Sequence, residues 1–184
     1  MNYNHKVMRF LFGSALLLLI FIGLPLMAIS QKEEPFTLSS PAFADKSALP
    51  LQYTGEGSDI SPPLSWTLAP KGTVSFALIC DDPDASGGPW VHWILYNIPS
   101  TLSHITEGSV NLPSSAIVGA NSWEKMKYQG PNPPPGKLHH YRFKLYALDK
   151  MLTLPKAATV EAVQEAMWTH ILGTTSLVGL FERK

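Results

Sequence analysis

Residues 73–80 read TVSFALIC, and residues 81–85 continue as DDPDA. The first eight residues are mostly apolar and rich in β-branched side chains, which is typical of a strand buried in the middle of a sheet. Pro83 then fixes the backbone between Asp82 and Asp84. The stretch therefore predicts a central strand that ends in an acidic loop, where a rigid sheet often positions functional residues. An acidic turn exposed to solvent is the other interpretation of the three carboxylates.

The sequence around this strand predicts more strands than helices. Strand-like patterns bounded by turn residues occur at 36–38, 51–54, 90–98, 139–148 and 177–181. One helix is predicted after Thr159 as its N-cap, with Val163, Met167 and Ile171 at helical spacing and Gly173 as its end. The predicted fold class is therefore mostly β.

Composition limits the possible partners. Of the 184 residues, 45% are hydrophobic and 15% charged, which is enough apolar material for a core. The formal net charge is zero and no basic stripe occurs, so nucleic acid is excluded as an expected partner. The single cysteine, Cys80, lies in the apolar run and is expected to be a buried thiol rather than a nucleophile.

The N-terminus has the pattern of a targeting segment. An uncharged apolar run from Phe10 to Leu24 follows a weakly basic start, and small residues near Ser30 suit a signal peptidase. The run is shorter than the ~20 residues of a membrane-spanning helix. We therefore expect residues 1–30 to be a signal peptide that is cleaved near Ser30–Gln31, leaving an exported domain, periplasmic or secreted, of residues 31–184. An uncleaved anchor is the alternative, and it would be the only contact with a membrane.

Three distant segments carry side chains that are suited to binding an anion. In a regular strand, Trp90, His92 and Ile94 would share one face, and His139 would share a face with Tyr141. Both imidazoles and the phenol offer N–H or O–H donors, which suit phosphate, carboxylate or sulfate oxygens. The carboxylate of Asp82 can accept from an imidazole and fix its tautomer. Either Asp82 or Asp84 could also accept from an amine attached to the anion.

An ordered set of motifs accompanies these residues. Residues 61–66 read SPPLSW, residues 82–85 read DPDA and are followed by His92-Trp93, and residues 130–141 contain GP, PPG and HHY in that order. Together they resemble the phosphatidylethanolamine-binding protein family, which includes the Raf kinase inhibitor proteins, and in particular its bacterial-type branch. The chain departs from the family pattern at residues 86–88 (SGG), at Asn132 and at His140, which stands where Arg is commoner.

The resemblance implies both a fold and a site. The fold would be a β-sandwich-like domain over residues 31–184, with a large central sheet, a smaller sheet and one or two peripheral helices. The ligand-binding residues would be Asp82, Trp90, His92, Gly130, Pro131, His139 and Tyr141, to which the reasoning from the residues adds Asp84. The same Pro-rich segment that carries Gly130 and Pro131 is expected to form a stiff, preorganised loop.

The expected function is binding of a small anionic ligand such as phosphate or phosphorylethanolamine, carried by a phospholipid headgroup or a phosphorylated partner. Two alternatives remain: inhibition of a partner enzyme through the rim of the pocket, and weak hydrolysis with His92 as a base that Asp82 orients. No Ser or Cys lies in a recognisable nucleophile motif, so no catalytic residue is assigned and no cofactor is expected. A metal site from His92, His139 and Asp82 is a further alternative, although no closely spaced ligand pair supports it.

Overall fold

Strands are the main regular secondary structure of residues 35–184, which are the residues that the computed structural model describes. The predicted signal peptide, residues 1–30, lies outside this range. Within it, the strands are β1 Thr37–Ser39, β2 Ser47–Ala48, β3 Leu64–Thr67, β4 Ser75–Asp82, β5 Trp90–Pro99, β6 His104–Ile105, β7 Ile117–Val118, β8 Leu138–Leu148 and β9 Ile171–Glu182. The α-helix of the described part is α1, Val160–Met167.

The strands form a large sheet and a small sheet. The six-stranded sheet has the order β2-β9-β8-β4-β5-β7, and the three-stranded sheet has the order β1-β3-β6. Neighbouring strands are antiparallel except for β2, which pairs parallel to β9. The prediction of a mostly β, sandwich-like domain with a large sheet, a smaller sheet and a peripheral helix is confirmed.

The apolar stretch predicted to be a central strand forms the centre of the large sheet. All eight residues of β4 are buried, because β5 and β8 flank it and both of its faces are covered. Leu78 and Cys80 pack in one cluster with residues of the small sheet such as Trp66, so this cluster joins the two sheets. Ile79 packs on the opposite face in a cluster that includes Val163 of α1. The expected burial of the Cys80 thiol is confirmed.

Strand β8 follows its sequence pattern closely. His139, Tyr141, Phe143 and Leu145 are buried on one face, while His140 lies exposed on the other. Seven residue pairs join β8 to β4, from Ser75 opposite Leu148 to Asp81 opposite Arg142. This register brings the N-terminal end of β8 beside the acidic end of β4.

The predicted end of the helix is wrong. The Thr159 side chain does cap α1, accepting from the Ala162 amide at 3.4 Å, but the helix ends at Met167. A short 3-10 turn then leads into β9, so Ile171 lies in a strand, as does Gly173, the predicted helix end. Gly173 is needed there for close packing, because a Cβ atom would lie 2.7 Å from the Pro70 ring.

The predicted strand at 51–54 is a 3-10 turn over Leu51–Tyr53. Its amides find local acceptors: Tyr53 N donates to Pro50 O at 3.0 Å, and Thr54 N donates to Leu51 O at 3.0 Å. A four-residue pattern is too short to exclude this local alternative. None of the helices in the described part is long and apolar enough to cross a membrane.

Replacing Leu145 by Ala tests whether β8 holds the core together. Leu145 is fully buried and Leu172 of β9 is 40% exposed, so the pair offers a matched comparison. We expect Leu145→Ala to lower the free energy of unfolding by about 2–5 kcal/mol, because it leaves a cavity. Leu172→Ala should change it by less than about 1 kcal/mol. Urea unfolding followed by tryptophan fluorescence measures both, and equal effects would contradict the assigned core.

Candidate functional site

The three carboxylates at the C-terminal end of β4, Asp81, Asp82 and Asp84, each have a basic partner. Asp81 accepts from Arg142 through Nε at 3.0 Å and Nη2 at 2.7 Å, and from Lys144 Nζ at 2.9 Å. Asp84 accepts from the backbone N and the ring Nδ1 of His140, at 2.9 and 2.8 Å. These hydrogen bonds hold the pKa of Asp84 below its ordinary value. The acidic cluster is therefore a set of separate pairs, and not a solvated turn of free charges.

Asp82 and His139 form a buried pair. Asp82 Oδ2 lies 2.7 Å from His139 Nδ1, and only 5% of each side chain is exposed. Asp82 Oδ1 accepts from the Asp84 backbone N at 2.9 Å. Since a carboxylate only accepts, Nδ1 of His139 carries a hydrogen, and the pair fixes the orientation of the imidazole ring.

A β-bulge positions His92. Cys80 pairs with Trp93 and Asp81 pairs with Val91, so β5 has one extra residue, His92, relative to β4. The bulge interrupts the alternation, and Val91 and Ile94 consequently belong to the same cluster on the helix side of the sheet. The predicted common face for His92 and Ile94 is therefore wrong. The His92 ring instead contacts Tyr141, which belongs to the cluster between the sheets, with centroids 5.1 Å apart.

The second partner of His92 comes from the loop before β8. His92 Nδ1 lies 2.6 Å from the carbonyl oxygen of Gln129, and the Gln129 amide donates to His92 O at 3.1 Å. A carbonyl oxygen only accepts, so Nδ1 of His92 also carries its hydrogen. Burial lowers the pKa of His92, against an opposing effect of this hydrogen bond and of the charge on Asp82.

The ring of Tyr141 packs against both imidazoles. Its centroid is 5.1 Å from that of His92 and 6.4 Å from that of His139. Burial, and then the charge of Asp82, raises the pKa of the Tyr141 phenol far above its ordinary value. The hydroxyl therefore stays protonated and can donate a hydrogen bond.

These side chains line one cavity of about 250 Å³. This volume lies slightly below the range typical of sites for drug-sized ligands and suits a small group. The lining residues are Asp82, Ala85, Ser86, Trp90, His92, Trp123, Asn132, Pro133, Pro134, His139 and Tyr141. Five of the residues predicted to bind ligand thus share one cavity, although they come from β4, β5 and β8.

Three predicted site residues lie outside the cavity wall. Asp84 is turned towards His140, as described above. The Gly130 amide donates to Asp59 Oδ1 at 2.6 Å, and a Cβ atom at Gly130 would lie 2.4 Å from the Tyr53 carbonyl oxygen. Pro131 O accepts from the Gly55 amide at 2.8 Å. Gly130 and Pro131 therefore attach the Pro-rich loop to the end of the 3-10 turn that replaces the predicted strand and to the loop that follows it.

Sequence reasoning missed the aromatic wall that Trp123 provides. The ring of Trp123 lies edge-on to His92 at 5.1 Å and to Trp90 at 5.3 Å. The buried Asn121 holds this loop, because its Oδ1 accepts from the amides of Trp123 and Lys125 at 3.0 and 2.9 Å. A Trp two residues after an Asn in a mostly polar segment is the signal that could have drawn attention to it.

The departures from the family pattern divide between the cavity and the outer surface. Ser86 and Asn132 line the cavity, whereas the described lining does not include His140. Residues 35–184 contain no group of three or more His, Cys, Asp or Glu side chains arranged to hold a metal ion. Asp82 pairs with His139, and not with His92 as the hydrolase alternative assumed.

Comparisons with known proteins agree with this architecture. A family model described as phosphatidylethanolamine-binding protein matches residues 39–182. A UPF0098 protein of Methanothermobacter thermautotrophicus is 44% identical over 149 residues, covering 79% of this chain and 98% of that protein. LppC of Mycobacterium tuberculosis, described as a candidate lipoprotein, is 41% identical over 150 residues, covering 81% of this chain and 73% of that protein.

A solved structure is similar as well. The crystal structure of Escherichia coli YbcL, described as a new member of the mammalian phosphatidylethanolamine-binding protein family, matches with a TM-score of 0.76 and 30% identity. The match covers 81% of this chain and 99% of that chain. With the family model covering most of the sequence and the same two-sheet fold, this chain belongs to the phosphatidylethanolamine-binding protein family.

Proposed function

We propose that this protein binds a small anion, such as phosphate or the phosphate of phosphorylethanolamine, in the cavity between β4, β5 and β8. The observation that carries the proposal is the convergence of His92, His139 and Tyr141 on one small cavity, with Asp82 holding His139 in place. Few polar groups in a mostly apolar recess are typical of a small-ligand site. Membership in the family supports a ligand-binding function in general.

The donors of the cavity come mainly from β8. The Tyr141 hydroxyl is protonated and can donate, and a side-chain hydrogen bond with Asp82 contributes to its raised pKa. When His139 is protonated, its Nε2–H donates into the cavity while its Nδ1–H stays on Asp82. The charges of this pair largely offset each other, so hydrogen-bond geometry, and not a large net charge, would hold the anion. Trp90 and Trp123 provide apolar walls that strengthen such hydrogen bonds by excluding water.

The geometry favours binding over hydrolysis. Burial raises the pKa of the Cys80 thiol well above its ordinary value, so Cys80 is a poor nucleophile. His92 donates from Nδ1 to a backbone carbonyl, which leaves it without the carboxylate partner that the hydrolase alternative requires. The partner-inhibitor alternative gains some support from Trp90 and Trp123, which are 38% and 37% exposed at the cavity, because aromatic side chains are enriched in protein interfaces.

We also propose that the protein is exported, with residues 1–30 removed as a signal peptide. The apolar run of residues 10–24 and the candidate lipoprotein among the relatives support export. Expression of the full chain in a secreting bacterial host should give an exported product whose N-terminus lies near Gln31, as measured by intact mass and N-terminal sequencing. A product that keeps Met1 and fractionates with membranes would instead show an uncleaved anchor.

Phosphate should stabilise the protein through His139. At a phosphate concentration about ten times the Kd, we expect a rise in Tm of about 3–6 °C. His139→Asn is the informative variant, because the Asn amide can still donate to Asp82 but has no group at the Nε2 position. This variant should lose most of the shift that phosphate or phosphorylethanolamine produces, as measured by differential scanning fluorimetry.

The exposed His104 provides the control for this experiment. His104→Asn should keep the full shift, and both variants should show any general salt effect of phosphate, since that effect does not depend on the cavity. Equal shifts in wild type and His139→Asn would contradict the proposed site, as would the absence of any shift beyond that produced by sodium chloride at the same ionic strength.

Acidification should destabilise the ligand-free protein through His92. Because the pKa of His92 is lower in the folded protein than the ~6.5 of an unfolded His, the unfolded chain takes up this proton first. The stability from His92 is thus complete above about pH 6.5 and falls as the pH drops from there towards the folded-state pKa. Asp84 acts in the same direction but below the Asp range of about pH 4.

Urea unfolding at several pH values between 7.5 and 5 measures this dependence. His92→Asn should reduce the slope of stability against pH by up to about 1.4 kcal/mol per pH unit. His104→Asn should keep the wild-type slope. A slope that His92→Asn leaves unchanged would show that the folded protein does not disfavour the charged imidazole.

A further inference from the structure

We propose that the face of the large sheet opposite His139 and Tyr141 binds a second copy of this chain and forms a weak dimer with two-fold symmetry. This open face consists of the β8–β9 half of the sheet and the C-terminal half of α1. It carries exposed charge of both signs next to an exposed tryptophan, which is what a self-complementary surface requires. The inference does not depend on the anion cavity.

The open face follows from the position of α1. The helix packs over the half of the sheet that contains β4 and β5, where Ile79 and Val163 share a cluster. The described residues leave the β8–β9 half exposed or half-buried. Its paired side chains are Arg142 with Val178, Lys144 with Ser176, and Tyr146 with Thr174. The sheet is therefore covered on one half of this face only, within residues 35–184.

The most unusual side chain of the open face is Trp168, directly after α1. It is 78% exposed, about twice the fraction of Trp90 or Trp123 at the anion cavity. Beside it lies a groove of about 480 Å³, larger than that cavity. The groove is lined by Tyr146, Gln164, Glu165, Met167, Trp168 and Ile171. An exposed indole next to an apolar groove is typical of a protein interface.

The β8 side of the open face has a positive excess. Arg142 and Lys144 both donate to Asp81, so two cations share one carboxylate. The side chain of Asp81 is 6% exposed, whereas those of Arg142 and Lys144 are 37% and 21% exposed. Asp81 uses two of the five guanidinium N–H groups and one of the three ammonium hydrogens. The remaining donors are available to a carboxylate of a partner.

The α1 side of the open face has a negative excess. Glu165 lines the groove, and Glu161 lies one helical turn earlier on the same side of α1. Both glutamates are exposed, and neither takes part in an ion pair found in residues 35–184. These carboxylates would repel an anionic membrane or a nucleic acid. Mixed charge therefore favours a second copy of the same face over either of these partners.

The spacing of the two charged sides fits a two-fold axis through the groove. Tyr146 borders the groove beside Glu165. Lys144 and Arg142 lie two and four residues back along β8, which corresponds to about 7 and 13 Å. In a two-fold dimer, each copy would therefore place Lys144 and Arg142 against Glu165 of the other copy. The Trp168 ring of each copy would cover the groove of its partner.

The area of the open face indicates a weak dimer. The outward-facing residues of β9 from Leu172 to Leu180 span about 27 Å, and two strands with the flank of a helix are about 15 Å wide. The projected area is thus about 400 Å² per copy, or about 800 Å² for two. Stable interfaces commonly bury about 1,600 Å², so we expect a Kd on the order of 10–100 µM.

Sedimentation equilibrium of the purified protein between about 5 and 300 µM tests the dimer. Glu165→Lys should raise the dimer Kd about tenfold, because two symmetric contacts change from attraction to repulsion. Trp168→Ala should raise it at least about tenfold through loss of an aromatic anchor. Both positions are exposed, so both variants should keep the wild-type circular dichroism spectrum and Tm. Added sodium chloride should weaken the wild-type dimer.

Two variants outside the open face provide matched controls. Glu124→Lys makes the same charge change at an exposed loop position, and Val110→Ala truncates an apolar side chain that is 86% exposed. Both should keep the wild-type Kd. A wild type that stays monomeric up to about 300 µM would overturn the inference. A dimer whose Kd is unchanged in Glu165→Lys and Trp168→Ala would also overturn it, as would monomers that bind anionic lipid vesicles through Trp168.

Discussion

The register between β4 and β8 is the constraint on which the site depends. Asp81 lies opposite Arg142, and successive side chains of a strand point to opposite faces of the sheet. Asp81 therefore pairs with Arg142 and Lys144 on one face, while Asp82 meets His139 on the other. A shift of one residue would send each carboxylate to the wrong face, where it would be buried without a partner. The long apolar run of β4, packed on both faces, holds this register.

The cavity results from two local departures from regular structure next to that pairing. The bulge in β5 turns His92 towards Tyr141, away from the helix side of the sheet. The loop that Asn121 organises then brings Trp123 and the Gln129 carbonyl against the His92 ring. Both departures are held by hydrogen bonds outside the strand ladder, such as those of Asn121 and of the Gln129 carbonyl. Irregular backbone of this kind is common where a sheet presents functional side chains.

The polar groups of the cavity are oriented by their hydrogen bonds. The Asp82 carboxylate orients one imidazole, and a backbone carbonyl orients the other. The strong charges, Arg142 and Lys144, are engaged by Asp81 on the far face of the same sheet, where they stabilise the strand ends.

Local pattern was sufficient for the long strands, for the start of the helix and for the family. The apolar run of β4, the alternation from His139 to Leu145 and the Thr159 cap each depend on neighbours within a few residues, and the ordered motifs identified the family before any geometry was known. The sequence also indicated His92, His139 and Tyr141 as candidate ligand-binding residues. It failed where a short pattern had a local competitor, as at Leu51–Tyr53, and where a bulge changed the face of a residue.

Tertiary structure alone decided which groups are partners. Asp82 holds His139 across 57 residues, and the Gln129 carbonyl holds His92 across 37. Neither bond leaves a signal in the spacing of residues along the chain, because a donor and an acceptor far apart in sequence meet only when the strands pair. Composition and periodicity thus determine which residues are buried and whether they lie in a strand or a helix. The hydrogen-bond partner of each buried polar side chain depends instead on contacts that only the folded chain creates.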